Sequence, residues 1–446
     1  MNVIKSPLVT DLYQLTMLQG YIDQDLHDTA VFEFFVRDMP ETRNFFLAAG
    51  LDSVLVFLEE CRFSEKELDY LAGTGRFNDS LITYLKKFRF TGDVHAMPEG
   101  TVFFPHEPII RITAPLPEAQ LVESRLINLI HYQSLIATKA ARCTIAAGGQ
   151  ASLVDFGLRR THGADAGLFA ARSSYIAGYA GTATVIAEPL FGIPIFGTMA
   201  HSFVEAQKSE KEAFLNFALS NPDNVTLLID TYNTVEGARK AVETAEALTK
   251  TGIKVRGVRL DSGNLAQLSR EVRTILDAAG LDEVSIFVSG NMDEYSIHDL
   301  LQNGAPIGGF GVGTRVNTSA DVPYFDSAYK LTEYAGTPRL KKSEGKATLP
   351  GRKQVHRHFE NGIMVKDVLT IEDDPQEGRP LVRQYMSHGK RITRYPTVHE
   401  IRDYTSEQIR MLPPYLKALN RSSTYPVEIS AALTTMKEKL ERTMGV

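Results

Sequence analysis

The chain is poor in cysteine and has no long run of a single charge or of apolar residues. Its two cysteines, Cys61 and Cys143, stand far apart, which excludes a disulfide framework and a four-cysteine zinc site. No stretch approaches the roughly 18 uninterrupted apolar residues of a membrane-spanning helix, so no membrane partner is expected. The N-terminus lacks a basic region followed by an apolar core and a cleavage site, and a cytoplasmic location is expected. With 48 Lys and Arg against 54 Asp and Glu, the formal charge is −6 and no basic stripe is evident. That argues against a nucleic-acid partner, while single phosphates or small anions could still be met by local arginines.

What the chain does have is length and order. At 446 residues it is long for one core, and 43% apolar with 23% charged residues is the balance of a soluble globular protein. Residues 1–130 mix helical stretches with short strands separated by Pro98, Gly100, Pro105 and Pro108, which suggests an α+β domain. In the helix expected over 8–22, Leu8, Leu12, Leu15, Gln19 and Ile22 share one face. Tyr13 falls outside that stripe, so it either faces solvent or meets something beyond its own core. A long helical stretch from Glu118 to about Ala147 leads to the next part.

Residues 131–335 change texture. Strand candidates near 152–156, 183–187, 193–197, 225–230, 253–260, 284–289 and 306–312 alternate with helical segments, clearest at 234–250, 265–279 and 293–303. This alternation predicts a parallel sheet, either open and doubly wound or closed as a barrel; both place ligands at the carboxyl ends of the strands. Residues 336–446 carry the basic, turn-rich 341–353 segment, short strands at 354–359 and 362–370, and an amphipathic helix over Val427–Met444. They form either an accessory domain or a return to the first one.

The polar residues cluster where the strands should end. Ile193–Phe196 reads as a short buried strand that stops at Gly197-Thr198-Met199-Ala200 and presents His201. Asp230 ends the next clear strand, and could hydrogen-bond one ring nitrogen of His201 and leave the other nucleophilic or basic. Phe156-Gly157-Leu158-Arg159-Arg160 is either a fork for a carboxylate or phosphate or a solvated loop. Arg259 and Asp261 are two apart on one strand and so share a face, as a ligand site or a buried ion pair. Ser289-Gly290-Asn291 and Gly311-Val312-Gly313-Thr314 end two further strands, and glycine there lets backbone N–H groups approach an anion. Lys139 and Arg142 either add positive charge to the site or lie on a solvated helix face.

Taken together, Asp11-Leu12-Tyr13, Phe156 to Arg160, Gly197 to Ser202, Arg259 to Gly263 and Gly311 to Thr314 resemble the nicotinate phosphoribosyltransferase family. The stretch from Lys346 to Val355 is similar to that family as well, and the resemblance runs in order along nearly the whole chain. It implies a type II phosphoribosyltransferase: an irregular β/α barrel with an α+β open sandwich domain, working as a homodimer with shared active sites. The implied reaction joins nicotinate to phosphoribosyl pyrophosphate (PRPP), with Mg2+ and with ATP as co-substrate hydrolysed through a phosphohistidine at His201. By the same resemblance Asp230 orients His201, and Asp261 holds ribose hydroxyls or the metal-bound pyrophosphate. Phe156 and Tyr13 of a partner subunit stack on the pyridine ring, and Arg159 and Arg259 meet anionic groups. Ser289, Gly290, Gly311, Gly313 and Thr314, with Lys139 and Arg142, are the expected phosphoribosyl and phosphate ligands.

Ala183 occupies a position where nicotinamide-using relatives carry an aspartate, so nicotinate is the expected base. The family pattern Asp-Ser-Gly-Asp is here Asp261-Ser262-Gly263-Asn264, which loses one charge. The alternatives are the same fold acting on nicotinamide or quinolinate, or a non-catalytic nucleotide-binding barrel. A barrel lyase or aldolase would need a Schiff-base lysine or a metal cluster at a strand end, and neither is evident.

Overall fold

Alternation of short apolar runs with capped helices builds the part of the molecule that carries the strand ends. The computed structural model describes residues 6–342, 348–421 and 423–444. Lys346, with the rest of 343–347 in the basic segment, lies outside the described residues. The chain divides into two compact units: residues 1–138 together with 324–446, and residues 139–323.

The 139–323 unit holds a six-stranded, all-parallel sheet that curls into half a barrel. Its strands are β1 (Ser152–Asp155), β2 (Gly181–Thr182), β3 (Val225–Leu228), β4 (Val255–Leu260), β5 (Ser285–Val288) and β6 (Gly309–Val312). The order across the sheet is β2-β1-β6-β5-β4-β3, so the first strand of the unit pairs with the last. The strands are near-continuous apolar runs because both faces are covered: Val154, Leu227, Val258, Ile286, Val288 and Phe310 are all buried.

Three strand–helix turns share one local device. Asn233, Asn264 and Asp293 each accept a hydrogen bond from a backbone N–H three residues on, at 3.0, 3.3 and 2.9 Å. They cap the helices Thr234–Leu248, Leu265–Ala278 and Glu294–Gln302. The helix starts are thereby fixed four or five residues after Asp230, Asp261 and Ser289, which aims those strand ends at common ground. Asn264 is one of these caps.

Two expected strands differ. Residues 183–187 continue past the two-residue β2 into a turn and the Ala187–Phe191 helix. The 193–197 stretch makes one isolated bridge, Ile195 with Thr182, and leaves Ile195 39% and Phe196 44% exposed. The physical reason is that its neighbour β2 is only two residues long: Thr182 N–H donates to the Pro194 carbonyl and Phe196 N–H to the Thr182 carbonyl, and the pairing goes no further.

The other unit is α+β. An antiparallel seven-stranded sheet is centred on Thr29–Val36, Ile110–Pro115 and Asp93–Ala96, with Ser327–Tyr334 and Arg383–Ser387 alongside. A second, mixed sheet contains Lys353–Glu360, Ile363–Ile371 and Val427–Ile429. The C-terminal segment thus completes the first unit. The helix expected over Val427–Met444 is a strand followed by the helix Ala431–Met444, because Ser430 accepts from the Leu433 N–H and starts the helix there. In the first helix, Leu12–Asp23, the buried residues are Gln14, Leu15 and Leu18, while Leu12 is exposed. Tyr13 is 47% exposed, off the buried face as its position in the stripe predicts.

Candidate active site

At the carboxyl ends of β1, β4, β5 and β6 lies a cavity of about 440 Å³. A second, more apolar cavity of about 360 Å³ adjoins it, and the two share Phe156, Arg159 and Arg259. The first is walled by Asp261, Ser289, Gly290, Gly311, Gly313 and Thr314. The second is walled by Ala183, Leu158 and the Gly197–Ala200 turn.

Glycine makes the first cavity possible. At Gly290 φ is +93°, and a Cβ would stand 2.2 Å from the Asp261 carbonyl oxygen, so adjacent strand ends come together backbone to backbone. A Cβ on Gly311 would meet the Phe156 ring at 2.6 Å, and one on Gly313 the Phe156 carbonyl oxygen at 2.8 Å. The flat ring of Phe156 therefore lies where only glycine leaves room for it.

Arg259 organises the junction. Its Nε donates to Ser289 Oγ at 2.8 Å, one terminal nitrogen to Thr198 Oγ1 at 3.1 Å, and the other to Asp261 Oδ1 at 2.9 Å. The guanidinium also lies 5.4 Å from the Phe156 ring centre. Ser289 donates in turn to Asp261 Oδ1. Burial alone would raise the Asp261 carboxyl; the Ser289 hydrogen bond, the Arg259 guanidinium and the His201 charge outweigh it and hold it below the ordinary carboxylate value. A charged acid is thus kept ready beside a fixed cation. Arg159 and Arg160 are exposed at the cavity wall. Below them, buried Asp155 accepts from Gly157 N, Asn317 Nδ2 and Thr182 Oγ1, which sets the Phe156–Arg160 loop on its strand end.

His201 begins the short His201–Glu205 helix, directly after the turn that lines the second cavity. Its Nδ1 is 3.2 Å from Thr231 Oγ1. The expected partner, Asp230, is engaged elsewhere: Oδ2 accepts from the Asp261 N–H at 2.8 Å and from Ser262 Oγ at 2.7 Å. That carboxylate holds the turn after β4. Its Oδ1 is buried with no hydrogen-bond partner among the described residues.

Lys139 and Arg142 are neither on a solvated face nor at the cavity wall. Lys139 Nζ is 2.6 Å from Glu294 Oε2 and 2.8 Å from Asp321 Oδ1, and Arg142 Nε is 2.9 Å from Glu294 Oε1. All of Glu294 and nearly all of both cations are buried, so their charge is spent on one another. Lys353 of the basic segment is likewise buried, paired with Glu33 at 2.6 Å.

Sequence reasoning missed Asn317, which gave no signal at all. Thr231 and Asn291 stood among the polar strand ends without a role of their own; Asn291 takes φ +59°, a left-handed position natural to a polar residue after glycine.

Three family models match the chain: the nicotinate phosphoribosyltransferase N-terminal domain over residues 8–131, the nicotinate phosphoribosyltransferase family over 151–367, and the C-terminal domain over 374–437. A nicotinate phosphoribosyltransferase of Mycobacterium tuberculosis is 48% identical over 425 residues, covering 95% of this chain and 91% of that one. The Homo sapiens nicotinate phosphoribosyltransferase is 32% identical over 518 residues, 97% of this chain and 96% of that one. Among solved structures, human nicotinic acid phosphoribosyltransferase superposes with a TM-score of 0.87 at 29% identity, over 97% of this chain and 99% of that one. The nicotinate-nucleotide pyrophosphorylase of Pyrococcus furiosus gives 0.75 at 27% identity, over 92% and 96%.

Proposed function

The chain belongs to the nicotinate phosphoribosyltransferase family, with the type II phosphoribosyltransferase fold, and from that premise we propose how its own residues carry out the reaction. Nicotinate and PRPP give nicotinate mononucleotide and pyrophosphate, a step of NAD biosynthesis. The observation that carries the reading is the pair of adjoining cavities sharing Phe156, Arg159 and Arg259. One is apolar and fits a pyridine ring; the other is polar, glycine-walled and fits a phosphoribosyl group.

Phe156 offers the ring a face to stack on, and Arg159, exposed at the shared wall, meets the carboxylate. Ala183 leaves no negative charge to repel it, which favours nicotinate over nicotinamide. Gly290, Gly311, Gly313 and Thr314 receive the 5′-phosphate through backbone N–H groups. As the bond from ribose C1 to pyrophosphate breaks, positive charge grows on the sugar. The ionised Asp261 faces that charge, held in place by Arg259 and Ser289. Tyr13, exposed on its helix, stacks on the ring from a partner subunit in a homodimer.

The described residues contain no group of three or more His, Cys, Asp or Glu fit to hold a metal. Asp261 and the unpartnered Oδ1 of Asp230 fit instead a magnesium ion that arrives bound to the diphosphate. Bound there, magnesium would neutralise the leaving group. ATP is the co-substrate: with Nδ1 engaged by Thr231, Nε2 of His201 attacks the γ-phosphorus, ADP leaves, and water later cleaves the phosphohistidine to phosphate.

The test is nicotinate mononucleotide formation with magnesium and PRPP, with and without ATP, for wild type and His201→Ala. Nicotinate use, a rate raised by ATP, and a variant that loses only that rise are expected. Turnover unaffected by ATP removes the phosphohistidine; turnover of nicotinamide instead removes the role of Ala183.

A further inference from the structure

We infer that Lys139, Arg142 and Glu294 form a buried clamp that positions the loop for PRPP, an inference that rests on the proposed phosphate role of that loop. Between the end of β5 and the helix at Glu294, the chain runs through Ser289-Gly290-Asn291-Met292-Asp293. Gly290 and Asn291 are consecutive residues at φ +93° and +59°, a left-handed pair that asparagine tolerates better than other side chains, and it is held at both ends.

The N-terminal end is held by Ser289, which bonds Arg259 and Asp261. The C-terminal end is held by Glu294, wholly buried and gripped by Lys139 at 2.6 Å and Arg142 at 2.9 Å. Arg142 is itself set by Tyr295, whose hydroxyl accepts from it at 3.3 Å. Asp293 pairs with Arg315 at 3.4 Å, which ties this loop to the Thr314 turn across the same cavity. A buried ion cluster contributes little net stability over well-packed apolar residues, but it does define one geometry. Here that geometry is the position of the Gly290 and Asn291 backbone at the polar cavity. The apolar cavity takes no wall residue from this loop; its walls come from the 156–159, 183 and 197–200 segments and from Arg259, which touches the loop only at Ser289, the end away from Glu294. These three are positioning residues, acting through the loop.

The experiment measures KM for PRPP and for nicotinate separately, with PRPP affinity by calorimetry and melting temperature alongside. Glu294→Gln should raise KM for PRPP about tenfold or more and leave KM for nicotinate within about twofold. Tyr295→Phe and Arg315→Gln loosen the clamp without emptying it, and should shift PRPP alone by about threefold. They decide the matter should Glu294→Gln fail to fold. A merely structural role would lower kcat with the folded fraction and leave both KM values unchanged; that result, or an equal rise in both, overturns the clamp. A wild type inactive on nicotinate and PRPP overturns the assigned reaction and the clamp's premise with it, an outcome read before any variant is compared.

Discussion

Two Arg–Asp pairs on β-strands show how one pairing serves two ends. In the α+β unit, Arg357 and Asp367 sit opposite each other on antiparallel strands, both side chains fully buried, 2.6 Å apart. In the parallel unit, Arg259 on β4 and Asp261 just past its end are 2.9 Å apart, with side chains 15% and 30% exposed. The buried guanidinium is enclosed by Asp367, Gln408 and the Phe104 ring, so no group of a ligand can reach it. The strand-end guanidinium has the same charge but lines two cavities. Position at a strand terminus, rather than residue type, separates chemistry from architecture.

The comparison breaks most visibly at the buried pair. Arg357→Ala leaves Asp367 charged and unpaired inside the sheet and should destabilise by roughly 3–5 kcal/mol, read as a lower urea midpoint. Arg259→Ala should do the reverse: kcat/KM falls on the order of 100–1000-fold while the melting temperature changes little. If both variants lose stability alike, the two pairs are not different in kind. Gly311→Ala tests the site without touching a charge. The new methyl meets the Phe156 ring, and a strain of about 1–3 kcal/mol should appear mainly as a raised KM for nicotinate.

The smallest effect concerns a second acid beside the buried pair. Burial, together with the charge of Asp367, pushes the Glu107 carboxyl well above the ordinary range. The unfolded chain ionises it above that range, so stability falls as pH rises toward the folded value. Glu107→Gln keeps an acceptor for the Phe104 N–H and a donor for Asp367. It should therefore flatten the decline of the urea midpoint as pH rises above the ordinary carboxylate range, with equal or higher stability at the upper end. Asp261 has the opposite sign: its lowered carboxyl adds stability above the ordinary range, lost as pH falls through its folded value.

Much of this was legible in the residues. Polar groups closing apolar runs at regular spacing marked the strand ends, and Arg259 and Asp261 stood out because a central strand has no other use for them. The 193–197 run misled because apolar content says nothing about whether a neighbouring strand exists. Lys139 and Arg142 misled for a different reason. Their partner Glu294 is more than a hundred residues away in sequence, and a cation's role depends on the anion it meets. Asp230 was read as the histidine's partner on sequence proximity to a strand end, but its carboxylate turns to the backbone of the next strand end.

The order of the strands bears on how the chain is made. Thr29–Val36 has Ile110–Pro115 on one side, but its other neighbour, Ser327–Tyr334, leaves the ribosome only after the whole parallel unit. Throughout that interval a strand of mostly apolar residues presents one open edge, a template for wrong pairing. Within the parallel unit, β1 likewise waits for β6. The polar cavity therefore cannot close before Thr314 is made, and a nascent chain halted before residue 309 holds Asp230 and Asp261 without the glycine wall that faces Asp261.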